Sequence, residues 1–272
     1  MDTDERAPRH KMKPRDGERT LRIAVGAARS AGDVLARGFP SPDKGARAKG
    51  HPNDPVTVYD QAAGSAMVRA LTAEYPDDGI LSEESVELRG SSGLRWVIDP
   101  LDGTNNFLAG IPHFAVSIAL TEGEQTLLGC VHDPLRGEMF SALRGEGATL
   151  NAQPIRVSKR ETLDGAVLGV GLSFHPDRRT EMVGQLPPFL SRAGVLRTLG
   201  SAALDLAYVA AGRLDAAWFL SLHAWDVAAA ALLVEEAGGR VSDLAGAPFR
   251  DPQGGIVASN GRIHDAFLDA LR

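Results

Sequence analysis

The chain has 272 residues, a formal net charge of −6, 43% hydrophobic and 24% charged residues, and one cysteine, which is enough for one large domain or two modest ones. No apolar run approaches the roughly 20 residues of a membrane span, and no dense Lys/Arg stripe marks a nucleic-acid surface. The lone Cys130 excludes an intrachain disulfide or a thiolate metal site, and its neighbours Leu127 to Val131 assign it to core packing.

Residues 1–18 are dense in Arg, Lys, Asp and Glu and lack the apolar segment of a secretory signal, so a solvated tail on a cytoplasmic protein is expected. Leu21, Val25, Ala28, Val34 and Leu35 recur near helical spacing, which predicts a first helix over 19–39 that Pro40 and Pro42 close. A Gly/Pro-rich loop with Lys49, His51 and Asn53 leads through Val56 to Asp60 into a second helix ending near Tyr75. Asp60 falls near the start of that helix, where an acidic residue also serves as a cap or first-turn residue. Ile80-Leu81-Ser82 reads as a short strand running into Glu83-Glu84, and Trp96-Val97-Ile98 as a second that ends at Asp99, because Pro100 cannot donate to a ladder.

From His113 to about Ile155, short β-rich runs alternate with Gly, Pro and Asn turns and predict an antiparallel meander. Strand 167–172, helix 177–193, strand 195–198, helix 201–211 and strand 215–219 then alternate as in an α/β unit. Trp225-Asp226 opens a helix with Val227, Ala230, Ala231 and Val234 on one face and Gly238-Gly239 at its end. The chain thus divides into an α+β half, 19–155, with the acidic motifs, and an α/β half, 156–272, that completes the site.

Asp99 and Asp102 flank a Pro-Leu turn at a strand end, where function collects in α/β proteins. Two carboxylates that close cannot both stay ionised without a proton or cation between them, and Mg2+ is the hard, oxygen-seeking ion that suits them. Gly103-Thr104 opens a short helix whose amides attract phosphate oxygens. An ordinary surface turn with Asp99 or Asp102 as a cap explains the same residues, as a helix cap explains Asp226.

The spacing D-x-x-D-G-T departs from the D-x-D-G-T of haloacid-dehalogenase phosphatases, and oxygen ligands do not recur as in an EF-hand. There is no G-x-S-x-G elbow. His113, His175 and His223 lack metal-ligand spacing and read as packed or hydrogen-bonding histidines.

D-P-L-D-G-T-N-N-F at 99–107, S-E-E-S at 82–85, W-D-V-A-A-A-A-L-L-V-E-E-A-G-G at 225–239 and the Gly200–Gly212 segment together resemble the inositol monophosphatase family, over nearly the whole chain after the tail. The resemblance implies a layered αβαβα sandwich, also found in fructose-bisphosphatases, and Mg2+-dependent hydrolysis of a phosphate monoester. It implies metal ligation by Glu83, Asp99, the carbonyl of Leu101, Asp102 and Asp226. Thr104, with Asp60 or Glu83, is implied to orient the attacking water, and the Gly103 and Thr104 amides to hold phosphate. Gly200, Ser201 and Ala202 are implied to line the alcohol end, with Asp102, Phe219 and Asp226 also facing substrate.

The substrate expected from the resemblance is inositol monophosphate or a similar polyol or sugar phosphate, and the assembly a homodimer, with neither nucleic acid nor membrane as partner. Histidinol-phosphate, fructose-bisphosphate and nucleotide-bisphosphate phosphatases are the alternatives within the class. A non-catalytic, metal-dependent scaffold or regulatory protein is the alternative outside it. One departure bears on substrate: Phe219 stands where the inositol phosphatases carry an acidic residue that contacts substrate hydroxyls.

Overall fold

The computed structural model describes residues 16–49, 54–84, 87–173, 176–192 and 194–272. Most of the expected tail, together with His51, Asn53, Ser85 and His175, lies outside the described residues. Helix α1 (Gly17–Gly38) starts where the Asp16 side chain accepts from the Arg19 N–H at 3.0 Å, and buries Ala24, Ala27, Ala28, Ala31 and Leu35 along one stripe. The small ladder β1 (Arg47–Ala48) and β2 (Pro55–Val56) precedes α2 (Val58–Glu74), which packs along α1.

A seven-stranded sheet follows in chain order, formed by β3 (Gly79–Ser82), β4 (Leu94–Asp102), β5 (Ala115–Glu122), β6 (Gln125–Asp133), β7 (Glu138–Leu143), β8 (Gly147–Leu150) and β9 (Gln153–Pro154), with the short α3 (Thr104–Ala109) after β4. Only the β3–β4 pair is parallel, so the meander expected over 113–155 is present.

The second half supplies β10 (Val167–Gly171), α4 (Pro176–Gly184), α5 (Pro187–Leu190), β11 (Val195–Arg197), α6 (Ala202–Ala210), β12 (Ala216–Phe219), α7 (Ala224–Glu236), β13 (Arg240–Ser242), β14 (Ile256–Ser259) and α8 (His264–Leu271). Its five strands lie in the order β11-β10-β12-β14-β13. The single helix expected over 177–193 is two pieces, because Gly184 and the Pro187-Pro188 pair interrupt it and a proline offers no N–H to continue the ladder.

Strand periodicity assigns the layers. On β4, Trp96 and Ile98 join the core beneath α1 and α2, while Val97 faces the core built around α6 and α7. On β12, Ala217 and Phe219 turn inward to α6 and α7, and Ala216 and Trp218 outward to α4, α5 and α8. The order is helix pair, sheet, helix pair, sheet, helices, the layered αβαβα sandwich. Helix α7 is apolar nearly all round because sheets cover both its sides. Its alanines permit close approach: a Cβ added at Gly129 of β6 would lie 2.7 Å from the Ala229 Cα.

Strand β4 corrects one expectation. It does not stop at Asp99 but runs through Pro100 to Asp102, with a register shift against β5 between the Asp99–Ser117 and Asp102–Ala115 pairs. Three steps on β4 oppose two on β5, so Pro100 sits in a bulge, where no ladder donation is demanded.

Candidate active site

The bulge brings the two aspartates together. In a regular strand, residues three apart point to opposite faces, and the extra residue turns Asp102 back to the side of Asp99. Asp226 arrives from the other half, in the first turn of α7, where its Oδ2 accepts from the His223 N–H at 2.7 Å. Oxygens of Asp99, Asp102 and Asp226 all lie within 4.8 Å of one another. The cap explanation of Asp226 and its presence in an acidic cluster therefore both hold.

Each carboxylate is anchored by neutral donors. Asp99 Oδ1 accepts from the Leu101 N–H at 2.9 Å. Asp102 Oδ2 accepts from the Ser201 hydroxyl at 2.5 Å and the Ala203 N–H at 2.8 Å, both at the start of α6. Among the described residues, no Lys or Arg side chain forms an ion pair with any of these three carboxylates. Burial, followed by the neighbouring charges of Glu83, Asp102 and Asp226, holds Asp99 well above the usual carboxylate range. Burial above all raises Asp226 well above it and pushes Asp102 up to about 6. An all-oxygen cluster with this much unneutralised charge fits a hard divalent cation.

Glu83 follows β3 and adjoins Asp99, but its Oε1 is 2.6 Å from the Lys49 Nζ, and Lys49 also pairs with Glu84. Burial works against the charge on Lys49, yet the two glutamates raise its pKa overall. Asp60 is the third helical residue of α2. It closes a capping box with Thr57, and its other oxygen lies 3.2 Å from the Thr104 hydroxyl. That hydroxyl is also 3.0 Å from the Leu101 carbonyl, so a single proton has two acceptors. Burial raises Asp60 above its ordinary value.

Gly103 and Gly200 meet behind the cluster. Gly103 has φ 96°, and a Cβ there would lie 3.1 Å from the Gly200 carbonyl oxygen; Gly200 has φ 92° and abuts the Asn106 side chain. Asn106 donates to the His113 and Leu199 carbonyls, both at 2.7 Å, tying α3 to the start of α6. Gly103, Asn106 and Gly200 line a cleft of about 410 Å³, together with Ser201, Ala202 and Phe219. Phe219 ends β12 and is 3% exposed. His113 is buried against Asp205 at 3.0 Å, and His223 precedes α7 with its ring stacked on Trp225, so both are packed or hydrogen-bonding histidines. Cys130 is buried in β6.

Sequence reasoning missed the partners rather than the carboxylates. Lys49 was visible only as a loop residue, and the Ser201–Asp102 bond spans 99 positions with no local pattern to announce it.

The fold and the site define a layered α/β protein that gathers carboxylates from two halves at its strand and helix ends. The chain belongs to the inositol monophosphatase family, whose sequence model matches residues 16–272. It is 44% identical over 254 residues to the Nus factor SuhB of Escherichia coli, covering 93% of this chain and 95% of that one. The crystal structure of the extragenic suppressor protein suhB from Bartonella henselae superimposes with a TM-score of 0.90 at 39% identity, covering 93% and 98% of the two chains. The inositol monophosphatase of Anabaena gives 0.83 at 35% identity, covering 93% and 95%. No helix among the described residues is long and apolar enough to cross a membrane.

Proposed function

We propose that this chain is a Mg2+-dependent phosphatase that hydrolyses the phosphate monoester of a small alcohol. The observation that carries the reading is the convergence of Asp99, Asp102 and Asp226, which are buried or half-buried and raised in pKa, on one point beside the Thr104–Asp60 pair. Asp99, Asp102, Asp226, Glu83 and the Leu101 carbonyl are the residues we assign to Mg2+. A divalent cation supplies Lewis acidity and a more acidic water, which lowers the barrier to an in-line displacement at phosphorus.

The chain's own groups do the rest. The Thr104 hydroxyl positions the attacking water and passes its proton toward Asp60, with Glu83 the other candidate acceptor. The Gly103 and Thr104 amides are assigned to the phosphate oxygens. Gly200, Ser201 and Ala202 border the departing alcohol, and no nucleophilic side chain is needed. A phosphate-release panel with and without Mg2+ tests this, with inositol monophosphate, histidinol phosphate, fructose 1,6-bisphosphate and a nucleotide bisphosphate as members. Release that requires Mg2+ supports the reading, and no release from any ester sinks it.

The relatives called Nus factors favour a second reading, in which the chain acts through a binding partner as a non-catalytic or regulatory protein. Against this stands a complete acidic cluster, since clustered like charges are a folding burden without a cation to bind. Mg2+ binding with no phosphate release from any ester would favour the second reading.

A further inference from the structure

We propose that the alcohol selected by this cleft is apolar or aromatic rather than polyhydroxylated. The inference rests on the hydrolase reading and concerns only the part of the substrate that leaves. The charged groups Asp99, Asp102, Asp226, Glu83, Lys49 and Asp54 lie at the acidic cluster or on the loop side of the cleft. The wall made by β10, β12 and the start of α7 is different. It is lined by Gly171, Leu172, Phe219, Leu220, Leu222 and Trp225, of which Leu172 is the most open and Phe219 and Leu220 are nearly buried, with Ser173, Ser221 and His223 as its polar side chains. Among the described residues, this wall offers no carboxylate besides Asp226, which belongs to the cluster.

Phe219 is fixed in place and adds little exposed area of its own. Its partner across the parallel β10–β12 pair is Gly171, and a Cβ added there would sit 2.3 Å from the ring, so β10 lies flat against it. Leu172 next to it is 40% exposed, and the Trp225 ring stacks with His223 at 4.6 Å between centroids and an angle of 14°. A half-exposed leucine and a stacked ring pair that line the same concave site leave apolar surface in water that an apolar ligand would cover. A ring bearing several hydroxyls, buried here, would exchange water for carbon at most of them. Trp225 directly precedes Asp226, so the selecting surface begins beside the reacting phosphate and reads the carbons nearest the ester oxygen.

The test uses the full chain with Mg2+ and three alkyl esters, 2-phenylethyl phosphate, glycerol 2-phosphate and myo-inositol 1-phosphate. kcat/KM is read by phosphate release, and affinity is read by calorimetry on the full chain carrying Thr104→Ala, in which turnover is slow. We expect 2-phenylethyl phosphate to lead both polyol esters by at least tenfold in kcat/KM and to bind most tightly. Phe219→Glu should shrink or reverse that ratio. Should it fail to fold, Leu172→Asn, at a half-exposed position, should shrink the ratio as well. A polyol ester equal to or better than the phenylethyl ester in both readouts overturns the inference, and so does a ratio unmoved in folded Leu172→Asn. If no ester is hydrolysed, the hydrolase reading fails, and the calorimetric order alone decides whether the wall selects apolar groups.

Discussion

Asp102 is held between two demands. Ser201 and Ala203 both donate to its Oδ2, fixing the side chain against α6, while burial and the nearby acids push its pKa up to about 6. Replacing it with Asn removes charge that a cation requires and that the metal-free fold tolerates poorly. Asp102→Asn should therefore lose turnover even at saturating Mg2+, while its Tm in EDTA matches or exceeds that of wild type; near-normal turnover would sink the ligand assignment. Asp99→Asn and Asp226→Asn should act alike, and their losses should not add, since the three act as a unit. Thr104 differs in kind, because its hydroxyl touches Asp60 and the Leu101 carbonyl rather than joining the acidic cluster. Thr104→Ala should lower kcat by roughly 10²- to 10⁴-fold while changing Mg2+ affinity far less; a change confined to Mg2+ affinity would contradict its role toward water. At this scale the carboxylates were legible, because Asp99, Asp102 and Asp226 end a strand or open a helix. The local pattern around Asp60 showed only a cap, and its pairing with Thr104 came from the family resemblance, since that contact crosses 44 positions and depends on how α2 docks on β4.

Elements were legible wherever one period dominated. Helix α1, the meander and the apolar α7 have unbroken patterns, and the structure has each of them, although in α1 Leu21, Val25 and Val34 are only partly buried and Ala24, Ala27 and Ala31 join Ala28 and Leu35 in the buried stripe. Pro100 misled because its missing donor was read as a strand end, whereas a bulge accommodates it within β4 and thereby aims both aspartates. The 177–193 segment misled because Gly184 and the Pro187-Pro188 pair were passed over as helix breakers. The last helix, α8, is pinned by a residue with no sequence signature. Its first residue, His264, is fully buried, with Nε2 2.9 Å from the Ser242 hydroxyl of β13 and Nδ1 2.8 Å from that of Ser259 of β14. Burial is the main cause of its lowered pKa, about 4 against an ordinary 6.5. Between those values the unfolded chain binds the proton and the folded chain does not, so stability rises with pH across the window and is lost as pH falls through it. Denaturant titrations from pH 4 to 7 should show this term, on the order of 3 kcal/mol at most. His264→Gln should flatten that part of the slope; an unchanged slope would mean that other groups set the acid limit.

Across the whole molecule, the acidic cluster joins what the sequence divides. Asp99 and Asp102 belong to the seven-stranded sheet, and Asp226 to the helix pair wedged between that sheet and the five-stranded one. Like charges brought together from two layers oppose the packing that unites them. A carboxyl whose folded pKa is raised holds its proton better folded than unfolded, so Asp102 favours the folded state below about pH 4 and loses that contribution as pH rises through about 6. Asp99 and Asp226, raised well above their ordinary value, act in the same direction and extend the loss to higher pH. This trend opposes that of His264, and a bound cation should cancel it by replacing the missing protons. Mg2+ at 100 times its Kd stabilises a protein by about 2.7 kcal/mol, which for a chain of this size is a Tm rise of roughly 5 to 11 °C. At one fixed Mg2+ concentration, the rise should be larger at pH 8, above the value of about 6 for Asp102, than at pH 5, where protons compete with the ion for that carboxylate. Thermal melts with Mg2+ and with EDTA at both pH values measure the difference directly. Asp102→Asn should lose most of the rise at pH 8. An equal Mg2+ effect at both pH values, or a full effect in the variant, would mean that the ion binds elsewhere and that the convergence of the layers at this point serves packing alone.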